Sequence, residues 1–223
     1  MGNHILKITS IGHVTHDVLK IITTKPKGVI FKPGQAANIA INKSGWLKEE
    51  RPFTFTNLPT NNSLEFTIKT YPEHECVTNK LLHLKKHDEL VLHEVFGAIT
   101  YKGEGVFIAG GAGITPFISI FKNLKAKNKI GNNILVFANK TKADIILEDE
   151  FQSLLGDAFI NILSDEQVKG YYHGRVTEKF LKTINTDFNR QFYLCGPPPM
   201  VKAVEKRLIH LGADKKHITK ETL

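Results

Sequence analysis

The stretch GVFIAGGAGITPF, Gly105 to Phe117, constrains the fold of this chain more than any other. A short apolar run, Val106 to Ala109, drops into Gly110, Gly111 and Gly113 and turns apolar again beyond Pro116. Bounded by glycine, such a run reads as a buried strand, and a proline at an early position followed by mixed apolar and polar residues reads as a helix start. A strand that passes to a helix through glycine allows tight turning and close approach of a ligand, and the free N–H groups at the helix start attract a phosphate. A dinucleotide pyrophosphate suits that geometry. A plain Gly-rich turn suits the G-x-G-x-x-P spacing equally well when it is read alone.

The rhythm of the chain changes just before this stretch. Upstream, polar and apolar residues alternate in HILKITSIG, DVLKIITTK, QAANIAIN, RPFTFTN, SLEFTIKTY and DELVLHEV, separated by Pro, Gly and Asn clusters, which predicts a small antiparallel β-barrel. One helix is expected within it, over residues 77–84. Downstream, the strand-like runs GVFIAG, NILVFAN, DAFINILSD and RQFYLCG alternate with helical stretches over 116–127, 147–155, 177–183 and 199–211, the pattern of a parallel sheet with crossover helices. The boundary falls near Tyr101 to Glu104. The expected fold is therefore two domains, an antiparallel barrel over 1–101 and an α/β nucleotide-binding domain over 102–223.

Composition narrows the function. The two cysteines, Cys76 and Cys195, are far apart and form no CxxC, so neither a disulfide framework nor a Cys-rich metal site is read, and a reducing, cytoplasmic setting is expected. The N-terminal residues alternate and carry no uninterrupted apolar stretch, so no signal peptide or membrane span is expected. A formal charge of +8 suggests an acidic partner, and the lack of a basic block speaks against nucleic acid. His13, His16, His74, His83, His87 and His93 read as solvated side chains, and no metal site is expected; His83 and His87 would share a helical face. Glu148 to Glu150 suit the first turn of a helix. Trp46 reads either as part of a partner surface or as packing on the barrel.

Two further motifs stand beside the glycine loop. YLCGPPPM, Tyr193 to Met200, again ends a strand and begins a helix, so it belongs at the carboxyl edge of the same sheet, where open α/β sheets bind ligands. Cys195 then lies at a strand tip, where a buried small hydrophobe is the alternative reading. In the barrel, RPFTFTN places Arg51, Phe53 and Phe55 on one face of a regular strand and Pro52, Thr54 and Thr56 on the other. A guanidinium can grip a phosphate, an aromatic ring can stack on a flat ligand and a hydroxyl can bond a ring nitrogen, although an ordinary edge strand reads the same way.

In this order and spacing the three motifs resemble the ferredoxin-NADP reductase family, in particular its compact flavodoxin or ferredoxin reductases and oxygenase reductases, over nearly the whole chain. The resemblance implies a Greek-key barrel that binds FAD and an α/β domain that binds NADP(H) or NAD(H). It implies that Arg51 holds the flavin pyrophosphate, Phe53 stacks on the isoalloxazine and Thr54 bonds near N5, with Pro52 and Tyr71 beside them. A second flavin-phosphate segment is matched by Val77 and Thr78, with Cys76 standing where the family usually has Gly. Gly111, Gly113, Thr115 and Pro116, with Cys195, Gly196, Pro197, Pro198 and Met200, match the nicotinamide-dinucleotide site. Thr54, Cys195 and Glu221 would lie at the reacting rings, and Leu223 takes the place of a C-terminal aromatic that covers the flavin.

Lys140 and Lys142, which follow a strand, can neutralise a ribose 2′-phosphate and so point to NADPH, or else are merely solvated. The implied activity is hydride transfer from NAD(P)H to flavin N5, then electrons to an acidic one-electron carrier such as flavodoxin or ferredoxin. Two cysteines cannot supply the four thiolates of a typical iron-sulfur cluster, so such a cluster would belong to another protein or domain. A redox-inert flavin or dinucleotide sensor built from the same two domains is the alternative.

Overall fold

The computed structural model describes residues 3–71, 76–97 and 99–222. The first six strands are β1 (His4–Thr15), β2 (Val18–Thr24), β3 (Ala36–Ile41), β4 (Arg51–Thr54), β5 (Ser63–Lys69) and β6 (Glu89–Phe96). They form an antiparallel sheet in the order β4-β3-β6-β1-β2-β5. Alternation drives its curvature: Leu6, Ile8, Ile21, Leu64 and Phe66 all turn into one core and are fully shielded from water. Just beyond β4, Phe55 makes an isolated antiparallel bridge to Phe66 of β5, which brings the two edges of the sheet together without pairing them along their length, so the expected barrel is not fully closed. Inside, Phe55 stacks on Phe31 with ring centroids 4.1 Å apart. Trp46 packs on this core, with the Lys80 ammonium 5.7 Å from its ring centre.

Helix α1 (Val77–Leu81) is shorter than the expected 77–84. Its continuation tightens into i→i−3 bonds, His83 N–H to the Lys80 carbonyl and Leu84 N–H to the Leu81 carbonyl, each 3.1 Å. His87 lies beyond it at φ 79°, bonded through its N–H to Ile8 of β1, so His83 and His87 do not share a helical face.

The second sheet comprises β7 (Gly105–Gly110), β8 (Ile134–Asn139), β9 (Phe159–Leu163), β10 (Tyr172–His173), β11 (Gln191–Gly196) and β12 (Ile218–Thr222), all parallel, in the order β10-β9-β8-β7-β11-β12. The two outer strands were not expected. β10 has only two residues, too few to show a period, and β12 lies in a tail whose residues are mostly polar. Helices α2 (Thr115–Ala126), α3 (Glu148–Leu155), α4 (Glu178–Ile184) and α5 (Pro198–His210) cover the faces. Both faces of β7 are buried, Phe107 and Ala109 toward the core that holds residues of α2 and α3, Val106 and Ile108 toward the core that holds residues of α4 and α5. Val18 of the barrel and Ile99 of the connection join the first of these cores, so the two sheets share buried apolar surface. Among the described residues, no helix is long and apolar enough to cross a membrane.

Candidate functional site

From β7 the chain steps outward through β8, β9 and β10, then returns to the other flank of β7 as β11 and β12. The direction of winding therefore reverses between β7 and β11, and the loops leaving these two strands stand at the switch point whose crevice, in open α/β sheets, receives ligands. Those loops are the glycine loop and the Cys195–Met200 loop. They interlock. A Cβ at Gly113 would lie 2.1 Å from the Cys195 carbonyl oxygen, and one at Gly110 would lie 2.4 Å from Met200 Sδ. Two of the three glycines thus leave room for the chain itself on the side where a Cβ would stand. Gly111 differs: at φ 51° it has nothing within 4 Å of the position a Cβ would take, so its backbone faces open space. Thr115 and Pro116 are buried at the head of α2, Gly196 is buried beside Gly110, Pro197 and Pro198 are exposed, and Met200 is half-buried.

On the barrel, Arg51 and Pro52 are exposed at the start of β4. The Arg51 guanidinium donates to the Glu50 carbonyl (2.7 Å) and lies 3.6 Å from the Glu49 carboxylate, both near the surface. Phe53 packs in the barrel core at 9% exposure, so little of its ring is left for a flat ligand. Tyr71, by contrast, has 47% of its surface exposed. Val77 is buried, and Thr78 Oγ1 lies 3.0 Å from Cys76 Sγ. That contact and an N–H from Asn79, with a smaller contribution from the Arg51 charge, hold the Cys76 thiol below its ordinary range.

Thr54 points the other way and meets the second sheet. Thr115 Oγ1 donates to Thr54 Oγ1 at 3.2 Å, a direct bond between the expected flavin strand and the helix that begins at the glycine loop. Cys195 is fully buried, in register with Ala109 of β7 and Glu221 of β12. Burial, and then the nearby Glu221 charge, push its thiol far above the ordinary range, and burial raises the Glu221 carboxyl as well. Leu223 lies outside the described residues, as does His74.

Lys140 and Lys142 are exposed beyond β8. The Lys142 ammonium rests 5.5 Å above the Tyr171 ring, whose hydroxyl donates to Glu148, and the Lys142 N–H donates to the Glu166 carboxylate at 2.7 Å. Glu166 escaped the sequence reading, and so did Asn139. Asn139, ending β8 beside this corner, is 8% exposed, and among the described residues neither of its amide atoms has a partner. A polar residue closing the apolar run ILVFA was its only signal. Elsewhere, the donor atoms of His16, Asp17 and Asp144 lie within 4.8 Å of one another, but the Lys69 ammonium already sits 2.7 Å from Asp17 and 3.9 Å from Asp144.

The open backbone at Gly111 and the orphaned amide of Asn139 fit a polar ligand laid across the carboxyl edge of the parallel sheet, and the exposed Arg51 at the start of β4 fits an anion on the barrel. Two family models match the chain. Residues 3–140 match the model of the FAD-binding domain family, and residues 107–206 match that of the oxidoreductase NAD-binding domain. The reductase component of propane 2-monooxygenase from Rhodococcus jostii (strain RHA1) is 29% identical over 230 residues, covering 95% of this chain and 61% of that protein. The chain spans 58% to 61% of the length of the first curated relatives it matches. Among solved structures, the FAD/NAD-binding domain of nitric oxide dioxygenase from Vibrio cholerae O1 biovar El Tor superposes with a TM-score of 0.87 at 21% identity, covering 98% of each chain. A ferredoxin NADP+ reductase from Neisseria gonorrhoeae with bound FAD and NADP gives a TM-score of 0.87 at 19% identity, covering 100% of this chain and 99% of that one. With an FAD-binding domain and an oxidoreductase NAD-binding domain joined through one buried seam, the chain belongs to the ferredoxin-NADP reductase-like family.

Proposed function

We propose that this chain is an NAD(P)H-dependent flavoprotein reductase, with FAD on the barrel (1–101) and the nicotinamide coenzyme on the α/β domain (102–223). The observation that carries it is the Thr115–Thr54 bond, which joins the two expected cofactor segments at one point. When bound, FAD supplies an acceptor for the electron pair of a reduced nicotinamide and a donor of single electrons. The chain's own task is then to bind and orient. Arg51, exposed at the start of β4, grips the flavin pyrophosphate; Tyr71 and the accessible part of Phe53 border the ring; the Thr54 hydroxyl offers a hydrogen bond near it. The open face at Gly111 and the rigid Pro197–Pro198 turn receive the dinucleotide. Cys195 shapes the floor of the crevice without acting as a nucleophile, because its buried thiol stays protonated.

The corner beyond β8 favours NADH over NADPH. Glu166 places a carboxylate there, which accepts from a free ribose hydroxyl and repels a 2′-phosphate, while Lys142 is committed to the Tyr171 ring. The physiological acceptor is proposed to be an acidic one-electron carrier, such as a ferredoxin or flavodoxin, drawn by the +8 charge, and the setting cytoplasmic.

Flavin binding is tested by titrating FAD-depleted protein. Arg51→Ala is expected to weaken FAD about tenfold, the lower end of a charge-assisted bond, because the guanidinium is half-exposed. Equal affinity in the variant contradicts the assignment of β4.

A further inference from the structure

Helix α2 leaves the glycine loop and runs along the barrel with Thr115, Ser119 and Lys122 in one row, as their i, i+4 and i+7 spacing dictates. Each reaches across the seam. Thr115 bonds Thr54; Ser119 Oγ accepts the buried Gly34 N–H at 2.8 Å; Lys122 Nζ donates to the Thr56 carbonyl and to Glu65 Oε1, both at 2.9 Å. Glu65 is itself held in place. It accepts the Thr56 hydroxyl at 3.0 Å, faces Lys20 at 3.4 Å and is only 13% exposed. Burial opposes its charge, yet Lys122, with help from Lys20 and Thr56, keeps its carboxyl below the usual glutamate range.

We propose that Lys122 is a positioning residue: by holding the Thr56 carbonyl and Glu65 it fixes α2 against the end of β4, and so sets where the glycine loop stands relative to Thr54. This rests on the functional reading above. Thr54 and Thr56 are two residues apart on one chain segment, whereas Thr115 and Lys122 are two helical turns apart. The helix is therefore tied to that segment at both ends, and it cannot pivot about the Thr54–Thr115 contact while Lys122 holds. An exposed ion pair would add little, but this one is largely shielded, and losing the ammonium leaves a buried carboxylate opposite Lys20 alone. Transfer between two bound rings is sensitive to placement: a displacement of about 1 Å can cost about a hundredfold in rate.

The test compares FAD-loaded wild type with Lys122→Met and Lys122→Arg by anaerobic stopped flow with NADH and by amide exchange at Gly34. In Lys122→Met the limiting rate of flavin reduction is expected to fall about tenfold or more, with half-saturating NADH and FAD content unchanged and Gly34 exchange accelerated. Lys122→Arg, which keeps a donor of the same charge, is expected to restore both the rate and the protection. If Lys122→Met does not fold, Glu65→Gln is expected to shift both readouts the same way by less. A Met variant as fast as wild type overturns the proposal, as does a loss of rate that tracks loss of FAD. A wild-type protein that neither NADH nor NADPH reduces overturns the functional reading and with it the kinetic role, while Gly34 exchange still reports whether Lys122 clamps the seam.

Discussion

Cys76 stands at the start of α1, where the Thr78 hydroxyl, the Asn79 N–H and the Arg51 charge favour its thiolate; Cys195 lies in a parallel sheet where nothing solvates one. Nucleophilic attack needs the thiolate and access to it, so the two thiols differ in reactivity although both are free. Iodoacetamide at neutral pH is expected to alkylate Cys76 at least about tenfold faster than Cys195, and bound FAD to slow the Cys76 reaction, both read by peptide mass spectrometry. Comparable rates at the two sites would contradict these environments. Arg51, Thr54 and Cys195 stand out in the sequence as candidates because each sits in a short motif whose chemistry is local. Glu166 and Asn139 were not: one acquires its place from the neighbouring strand tip, and the other is a single polar residue ending an apolar run.

At the scale of elements, the alternation upstream and the strand-helix rhythm downstream carried both sheets, because each periodicity is set by which face is buried. What glycine does in the GGAG loop was not legible. Local sequence shows that a side chain is missing, and only the tertiary fold shows what fills the space. Gly113→Ala is expected to destabilise the protein and spoil coenzyme binding, since its Cβ would meet the Cys195 carbonyl. Gly111→Ala, strained only by its positive φ, should cost about 1–2 kcal/mol in thermal unfolding. The opposite ranking would contradict the interlocked loops.

The seam also predicts a pH dependence. Glu65 has a folded-state pKa lowered below the ordinary value of 4.5, so its contribution is present above that value and is lost as pH falls through the folded pKa. Thermal stability of the wild type should therefore fall more steeply on acidification below about pH 5 than that of Glu65→Gln. Parallel pH profiles would contradict the pairing.

At the scale of the whole molecule, function depends on two sheets meeting with the right faces together, and that was the least legible level. Lys122 and Glu65 are 57 residues apart, each an ordinary charged side chain in its own segment. The order of motifs implied that two cofactor sites exist; the contact between Thr54 and Thr115 and the shared core around Val18 and Ile99 bring those sites to one seam. The central claim is that a flavin on the barrel receives electrons from a nicotinamide on the α/β domain. Anaerobic mixing of the FAD-loaded protein with NADH, followed by flavin absorbance, tests it most directly. The account predicts rapid bleaching, faster with NADH than with NADPH; a protein that binds FAD and remains oxidised with either coenzyme would contradict it.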